Sequence, residues 1–372
     1  MTRGRFAPSP TGRMHLGNVF CALLSWLSAK SKGGEWVLRI EDLDPQRSRK
    51  EYALQLMDDL QWLGLPWDGE PVWQSQRDQI YEEYLRHLTE MGLTYPCHCT
   101  RADIMATQAP HETDGRVVYK GTCRPRAIDA INSIDAIDAI GAIESIGSID
   151  STIRTVPATT RLIVPDRTIP FTDGHYGPHP LNLAEHCGDY IVRRKDGAWA
   201  YQLAVVVDDA LMGITEIVRG RDLLLSSPQQ IHLRELLFFE RKTENGTDAG
   251  SENRSKIYFD YAEQQGGKDR EAGLKRKNNS LTAHHSPLTV NFFHHPLLCN
   301  AEGQRLCKRD KSMDLGYLRN KGTTSQEIIG LLAHLSGLTD TPAPITPTEL
   351  LPLFSWDKVP TEDIMLDKQI ML

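Results

Sequence analysis

Residues 5–18 read RFAPSPTGRMHLGN, and the residue types crowded into this stretch can hold a chain of phosphates. Pro8 and Pro10 fix φ and remove backbone donors, so the chain leaves the preceding apolar segment rigidly. Gly12 and Gly17 lack a Cβ, which lets a ligand approach the backbone, and Ser9 or Thr11 can satisfy amides left free in the turn. A helical pattern beginning near Leu16 aims its unpaired N–H groups and partial positive charge back at the same turn. His15 at its head can donate to a phosphate oxygen, and Arg5 can grip a carboxylate with two parallel hydrogen bonds. A histidine at a helix start is by itself a cap, and a proline-glycine turn is by itself a turn. The combination is far more specific than either piece.

A second cluster is Cys97-His98-Cys99 with Cys123. Thiolates are strong zinc ligands; Cys-x-Cys places two on one loop, and a third from across a loop leaves one tetrahedral position to fill. His98 and His111 are candidates for it. The seven cysteines are an odd number and no apolar leader precedes residue 5, so a reducing, cytoplasmic setting and a metal site are expected over disulfides. Unliganded buried cysteines are the alternative.

These groups need elements to position them. Residues 3–8 read as a short buried strand, and apolar positions 16, 19, 20, 23, 24 and 27 give residues 16–29 a helical period. Residues 36–41 alternate, with Trp36, Leu38 and Ile40 on one side and Val37, Arg39 and Glu41 on the other, and this strand ends at Glu41-Asp42. Strand, glycine turn, helix and strand make the opening βαβ unit of a nucleotide-binding sheet. Residues 51–64 and 76–92 are amphipathic helices. The apolar stretch 198–207 ends at Asp208-Asp209, residues 211–218 lead to Arg219-Gly220-Arg221-Asp222, and a helix begins near Pro228. Residues 325–335 form a helix capped by Thr324 or Ser325, and a proline-rich tail follows over 342–360.

Other stretches carry no chemistry. Isoleucine recurs every three residues over 127–151, a period that fits neither strand nor helix, so this is a low-complexity insert. A polar insert spans 241–286. The histidine pairs 284–285 and 294–295 beside it read as surface or packing residues rather than metal ligands. Net charge is −7, which excludes a bulk polycation; RNA contact would rest on local patches at Arg193-Arg194-Lys195 and Lys308-Arg309-Asp310-Lys311. No run of about 18 apolar residues exists to span a membrane.

RFAPSPTGRMHLGN resembles the nucleotide-binding signature of class I aminoacyl-tRNA synthetases in their glutamate-specific form, with His15-Leu16-Gly17-Asn18 at the His-Ile-Gly-His element. RIEDLD at 39–44, YQLAVVVDDALMGITEIVRGR at 201–221 and RLCKRDKS at 305–312 resemble the next blocks, the last being the lysine loop, and all run in family order. The resemblance implies an α/β, Rossmann-type catalytic domain with helices on both faces, an inserted acceptor-binding-like subdomain and a short helical C-terminal part. On this reading residues 1–96 and 186–240 are the two halves of the catalytic domain. Residues 97–185 are the insert with its zinc site, 241–286 the polar excursion, and 287–372 the lysine loop and helical end. It further implies that Arg5, Ala7, Ser9, Glu41, Tyr201 and Arg219 hold glutamate, with Glu41 accepting from the ammonium. Pro8, Ser9, Pro10, Thr11, Gly12, His15, Gly17, Asn18 and Lys308 would hold ATP with Mg²⁺, His15 and Lys308 being catalytic. In the family's Cys-x-Cys…Tyr-x3-Cys pattern Tyr119 would complete a structural zinc site with Cys97, Cys99 and Cys123.

Two arginines suit a substrate with two carboxylates, whereas glutamine would leave one guanidinium poorly paired. A salt bridge from Arg219 to Asp222 or Glu216 is the plain structural alternative. The stretch from Lys308 to Leu372 is shorter than the roughly 100 residues a helical tRNA-reading domain takes. The chain therefore resembles the truncated glutamyl-queuosine tRNA(Asp) synthetases, which activate glutamate without tRNA and attach it to the queuosine base. The apolar Val205 in AVVVDD fits this branch. Two departures stand in the lysine loop: Cys307 replaces Ser, and Arg305 replaces Lys. The expectations are a cytoplasmic monomer using glutamate, ATP and tRNA(Asp). A glutamyl-tRNA(Glu) ligase with a short C-terminus and an inactive binding paralogue are the alternatives. A generic nucleotidyltransferase would share the histidine turn but not the Arg5/Glu41/Tyr201/Arg219 set.

Overall fold

The computed structural model describes residues 1–106, 118–125, 157–238, 290–306 and 314–366. Both inserts, 127–151 and 241–286, lie outside the described residues, as do His111, His284, His285, Cys307, Lys308 and Lys311.

A parallel five-stranded sheet forms the frame. Its strands are β1 (Arg3–Phe6), β2 (Glu35–Ile40), β3 (Val72–Trp73), then β7 (Glu216–Gly220) and β8 (Asn291–His295), in the spatial order β8-β7-β1-β2-β3. The direction of winding reverses at β1, and the crevice beyond the strand ends there is where open α/β sheets bind ligands. Helix α1 (Leu16–Lys30) covers one face, packing Leu23, Leu24 and Leu27 with Phe6, Trp36, Leu38 and Val218. On the opposite face Val37, Ile217 and Phe292 meet residues from α4 (Tyr201–Leu211) and α5 (Ser227–Phe238) and their flanks. The alternation in β2 is thus real, but both of its faces are buried, including Arg39. A strand covered on both sides by crossover helices leaves no face for solvent.

Helices α2 (Lys50–Trp62) and α3 (Asp78–Glu90) follow the first two crossovers. Strand β4 (Thr94–Cys97), β5 (Thr159–Leu162) and β6 (Tyr190–Arg193) form a separate antiparallel sheet in the order β6-β5-β4, packed on α3 and α4. The stretch 198–207 is largely helix α4, buried from Leu203 onward where it packs against the small sheet and α3. Short helix α6 (Leu315–Asn320) and helix α7 (Ser325–Leu335) return to the α1 side of the core. Thr324 caps α7, its hydroxyl accepting the Glu327 N–H while Glu327 reaches back to the Thr324 N–H. Among the described residues no helix is long and apolar enough to cross a membrane.

Candidate active site

A cavity of about 440 Å³ opens at the switch point, where β1, β2, β7 and β8 end. Arg5, Ala7, Pro8, Ser9, Thr11, His15, Gly17, Asn18, Glu41, Tyr201 and Arg219 all line it, although they come from four separated stretches of chain. Pro10 and Gly12 do not. The turn bends outward at Pro10, whose carbonyl accepts the Arg49 N–H at 3.0 Å; it lines a different hollow with Asp42, Arg49 and Trp73. Val205 is buried in the helical core between the sheets and is not among the cavity's lining residues.

His15 is the N-cap of α1. Its Nδ1 accepts the Gly17 N–H at 3.1 Å, while Asn18 Oδ1 accepts the His15 N–H at 3.2 Å. His15 and Asn18 thus serve amides at the head of the helix. A nitrogen that accepts an N–H carries no proton, so neutral His15 has its hydrogen on Nε2, the tautomer that can donate to an anion. A Cβ at position 17 would stand 3.0 Å from the His15 ring, so Gly17 makes room for this cap as well as for a ligand.

The opposite end of the cavity is built from buried ions. Arg5 donates through Nη1 to the Val218 carbonyl at 3.2 Å and reaches Asp209 at only 3.4 Å. The same Asp209 oxygen takes a shorter bond, 2.6 Å, from Arg39, which also pairs with Glu41 at 3.0 Å. Burial alone would raise the Asp209 carboxyl, but Arg39 and Arg5 hold it below the ordinary carboxylate range. Burial raises Glu41, and Arg39 offsets that only in part. Asp208 serves a second layer, accepting from Arg77 at 2.6 Å, Gln74 at 2.7 Å and Tyr81 at 2.8 Å. Arg39, Asp208 and Asp209 are the residues sequence reasoning missed. The available signal was a charge inside an apolar run, in WVLRI and after AVVV, since such residues stay buried only when paired.

Arg219 stands apart from this pattern. It is 4% exposed, yet its donors go to neutral acceptors: Nε to His294 at 3.0 Å, Nη1 to Gln230 at 2.8 Å and Tyr201 at 3.3 Å, Nη2 to Ser227 at 2.7 Å and the Leu223 carbonyl at 3.4 Å. Among the described residues no carboxylate lies within 4.0 Å of it. The salt-bridge alternative fails: Glu216 pairs with Lys32, and Asp222 with Arg305. Burial pushes the guanidinium below its usual range. A buried cation without a counter-ion is costly, and an anionic ligand in the cavity would relieve that cost.

Leu306 lines the cavity, and Asp314 bridges His15, the next residue's N–H reaching the Met14 carbonyl at 2.9 Å. The residues that flank 307–313, which contains Lys308, are thus placed at the cavity: Leu306 in its lining and Asp314 beside His15. Arg305 lines the cavity and pairs with Asp222. Of the basic patch at 193–195, Arg193 pairs with Glu82 at 2.5 Å and Arg194 with Asp196 and Asp44, and Lys195 is exposed.

The cysteines converge as the spacing implied. The Sγ atoms of Cys97, Cys99 and Cys123 lie within 4.8 Å of one another. Tyr119 Oη sits 3.4 Å from Cys97 Sγ and 4.0 Å from Cys99 Sγ, and accepts the Cys123 N–H at 2.7 Å. His98 is exposed and outside the cluster. Burial opposes ionisation of Cys123, but hydrogen bonds from the His98 backbone and from Tyr119 bring it down to about 7. Three convergent sulfurs and one phenolic oxygen are a donor set that suits zinc. Histidines 294 and 295 are buried and, among the described residues, belong to no such cluster.

The sequence profile of the class I tRNA synthetases for glutamate and glutamine (E and Q), catalytic domain, matches residues 1–245. A glutamyl-Q tRNA(Asp) synthetase of Nitratidesulfovibrio vulgaris is 36% identical over 380 aligned positions, covering 100% of this chain and 97% of the relative. One from Symbiobacterium thermophilum is 38% identical, covering 98% and 96% respectively. Among solved structures, a glutamate tRNA ligase from Elizabethkingia meningosepticum, in complex with its amino acid, superposes with a TM-score of 0.66 at 24% identity, covering 100% of this chain and 68% of that one. At that identity the likeness speaks for the fold.

Proposed function

Because the chain belongs to the class I tRNA synthetases for glutamate and glutamine, we propose that it activates L-glutamate with ATP in the absence of tRNA and transfers the glutamyl group to the queuosine base of tRNA(Asp). The observation that carries the glutamate assignment is the pair of buried arginines at one end of the cavity, one sharing its counter-ion and the other with no carboxylate in contact among the described residues. Arg5 and Arg219 receive the two carboxylates, Glu41 takes the ammonium, and Tyr201 closes the pocket against Arg219. The branch assignment is supported by the names of relatives that this chain matches along almost their whole length.

A carboxylate oxygen of glutamate attacks the α-phosphorus of ATP, the bond to the bridging oxygen breaks, and pyrophosphate leaves. No protein nucleophile is required; alignment and neutralisation of charge lower the barrier. His15 Nε2–H donates to a phosphate oxygen, Lys308 neutralises the leaving pyrophosphate, and Mg²⁺ accompanies the nucleotide. Pro8, Ser9, Thr11, Gly17 and Asn18 shape the nucleotide side. A hydroxyl of the queuosine ring then attacks the acyl carbon of the adenylate and AMP departs. Zinc on Cys97, Cys99, Tyr119 and Cys123 would pin the loop of the 97–185 insert that faces the RNA. We take the enzyme to act in the cytoplasm as a monomer.

Glutamate-dependent ATP–pyrophosphate exchange without tRNA, compared with glutamine and aspartate, tests the first half. Transfer to tRNA(Asp) with and without queuosine, and to tRNA(Glu), tests the second. Exchange with glutamate alone and transfer only to the queuosine-bearing RNA are expected. Charging of tRNA(Glu) would refute the branch assignment, and absence of exchange would leave a binding protein. In the same assay Lys308→Ala is expected to slow adenylate formation by about 10²–10³-fold, the size of a lost transition-state cation or donor.

A further inference from the structure

Strand β8 runs beside β7 with Arg219 opposite His294 in register, so both side chains rise from the same face of the sheet. His294 is fully buried. Its Nδ1 lies 2.6 Å from Asp173 Oδ2, and its Nε2 lies 3.0 Å from Arg219 Nε and 3.3 Å from Ser227 Oγ. The tautomer follows from the partners. A carboxylate cannot donate, so Nδ1 carries the hydrogen and Nε2 is the acceptor for the Arg219 Nε–H.

Asp173 comes from a different part of the chain, a short hairpin over residues 172–178. Its other oxygen accepts the backbone N–H groups of His175 at 3.0 Å, Tyr176 at 2.9 Å and His294 at 3.2 Å. The hairpin is pressed against β8: the Gly174 N–H donates to the Phe292 carbonyl at 2.7 Å, and a Cβ at position 174 would stand 2.3 Å from the Phe293 ring. The carboxylate is therefore held by backbone at a fixed point. Burial, opposed by the Asp173 hydrogen bond and reinforced by the Arg219 charge, brings His294 down to about 4, so it stays a neutral acceptor.

We propose that Asp173 and His294 are positioning residues that hold the Arg219 guanidinium in the orientation needed to receive a substrate carboxylate. The relay spends the Nε–H on a rigid neutral acceptor, so the guanidinium is fixed at the cavity with no carboxylate in contact among the described residues. This rests on the reading of Arg219 as the carboxylate-binding cation.

The test is tRNA-free pyrophosphate exchange with glutamate and with glutamine, using His294→Phe, His294→Gln, Asp173→Asn and Arg219→Ala. For His294→Phe the glutamate KM should rise about ten- to a hundredfold, as for a lost hydrogen bond to a charged group, with the ATP KM within about twofold of wild type. Discrimination against glutamine should narrow in step. His294→Gln, whose amide can donate to Asp173 and accept from Arg219, should restore most of the loss, and Asp173→Asn should fall between. A merely structural role would move both KM values together or lower only thermal stability, and either result overturns the proposal. Should the Phe variant not fold, Asp173→Asn decides: an unchanged glutamate KM overturns it. If Arg219→Ala leaves the glutamate KM unchanged, the cavity reading itself fails. If Arg219→Ala raises it and the His294 and Asp173 variants do not, only the relay fails.

Discussion

The amino-acid end of the cavity and the cysteine cluster are both compact polar sites, but they are assembled in opposite ways. Arg5 meets Asp209 across 204 positions of sequence, and Arg39 meets Asp209 across 170. The cysteine cluster draws all its donors from residues 97–123. The first site exists only because a parallel sheet gathers distant strands and helices, and its shape is fixed by ions that satisfy one another. The second has its ligands close in sequence, and the contacts that seat it, Tyr119 beside Gly188 and Arg161 and Cys97 paired with Thr159, come from the adjoining small sheet and its flanks, so a bound metal would add a local cross-link to that seat. Binding chemistry that needs fixed geometry sits where the fold is most redundant; a docking loop can sit on a local clip.

That contrast can be broken by attacking each site separately. Asp208→Ala removes the acceptor shared by Arg77, Gln74 and Tyr81 and is expected to cost about 3–5 kcal/mol, because it takes one carboxylate out of a buried ion pair. Denaturant unfolding measures it; a loss below about 1 kcal/mol would show that the network does not hold the fold. Stripping zinc with a chelator, or Cys99→Ser, is expected to leave glutamate exchange within about twofold while transfer to tRNA falls about tenfold or more, in line with lost ordering of one loop. Metal analysis should give one zinc per chain, bound through Cys97, Cys99 and Cys123. Equal loss of both activities would mean that the two sites are not separable.

Acidification should act on the sheet side. Burial lowers His232 to about 3, and His294 and His295 to about 4, from an ordinary value of 6.5. Because the folded values are depressed, the unfolded chain binds more protons below pH 6.5. The stability held by these neutral rings is complete above that pH and drains away as pH falls toward 4. The slope is roughly 1.4 kcal/mol per pH unit for each ring at most. Unfolding free energies at pH 7 and pH 5 should differ accordingly, and His295→Leu should flatten the profile.

How much of this was readable from the chain depends on range. The histidine turn and the β1–α1–β2 unit were legible from residue types in one short block, and Arg5, Glu41, Tyr201 and Arg219, which line one cavity, were brought together by the resemblance of their short blocks to the synthetase family. The Cys97–Cys123 spacing was legible for the same reason. The layer behind them was not. Arg39 sits in an alternating strand, and nothing local says that helices cover both faces. Asp208 and Asp209 close an apolar stretch, and their partners arrive from residues 5, 39, 74 and 77. His294 read as packing because Asp173, the residue that gives it a direction, lies 121 positions away.

The whole reading turns on Arg219, buried at the cavity with no carboxylate in contact among the described residues. The most direct test is the ratio of kcat/KM for glutamate over glutamine in tRNA-free exchange, wild type against Arg219→Gln. The ratio is expected to collapse by about a hundredfold or more, through loss of glutamate activity with little change for glutamine. A ratio that stays where it was, with both substrates falling together or neither falling, would contradict it.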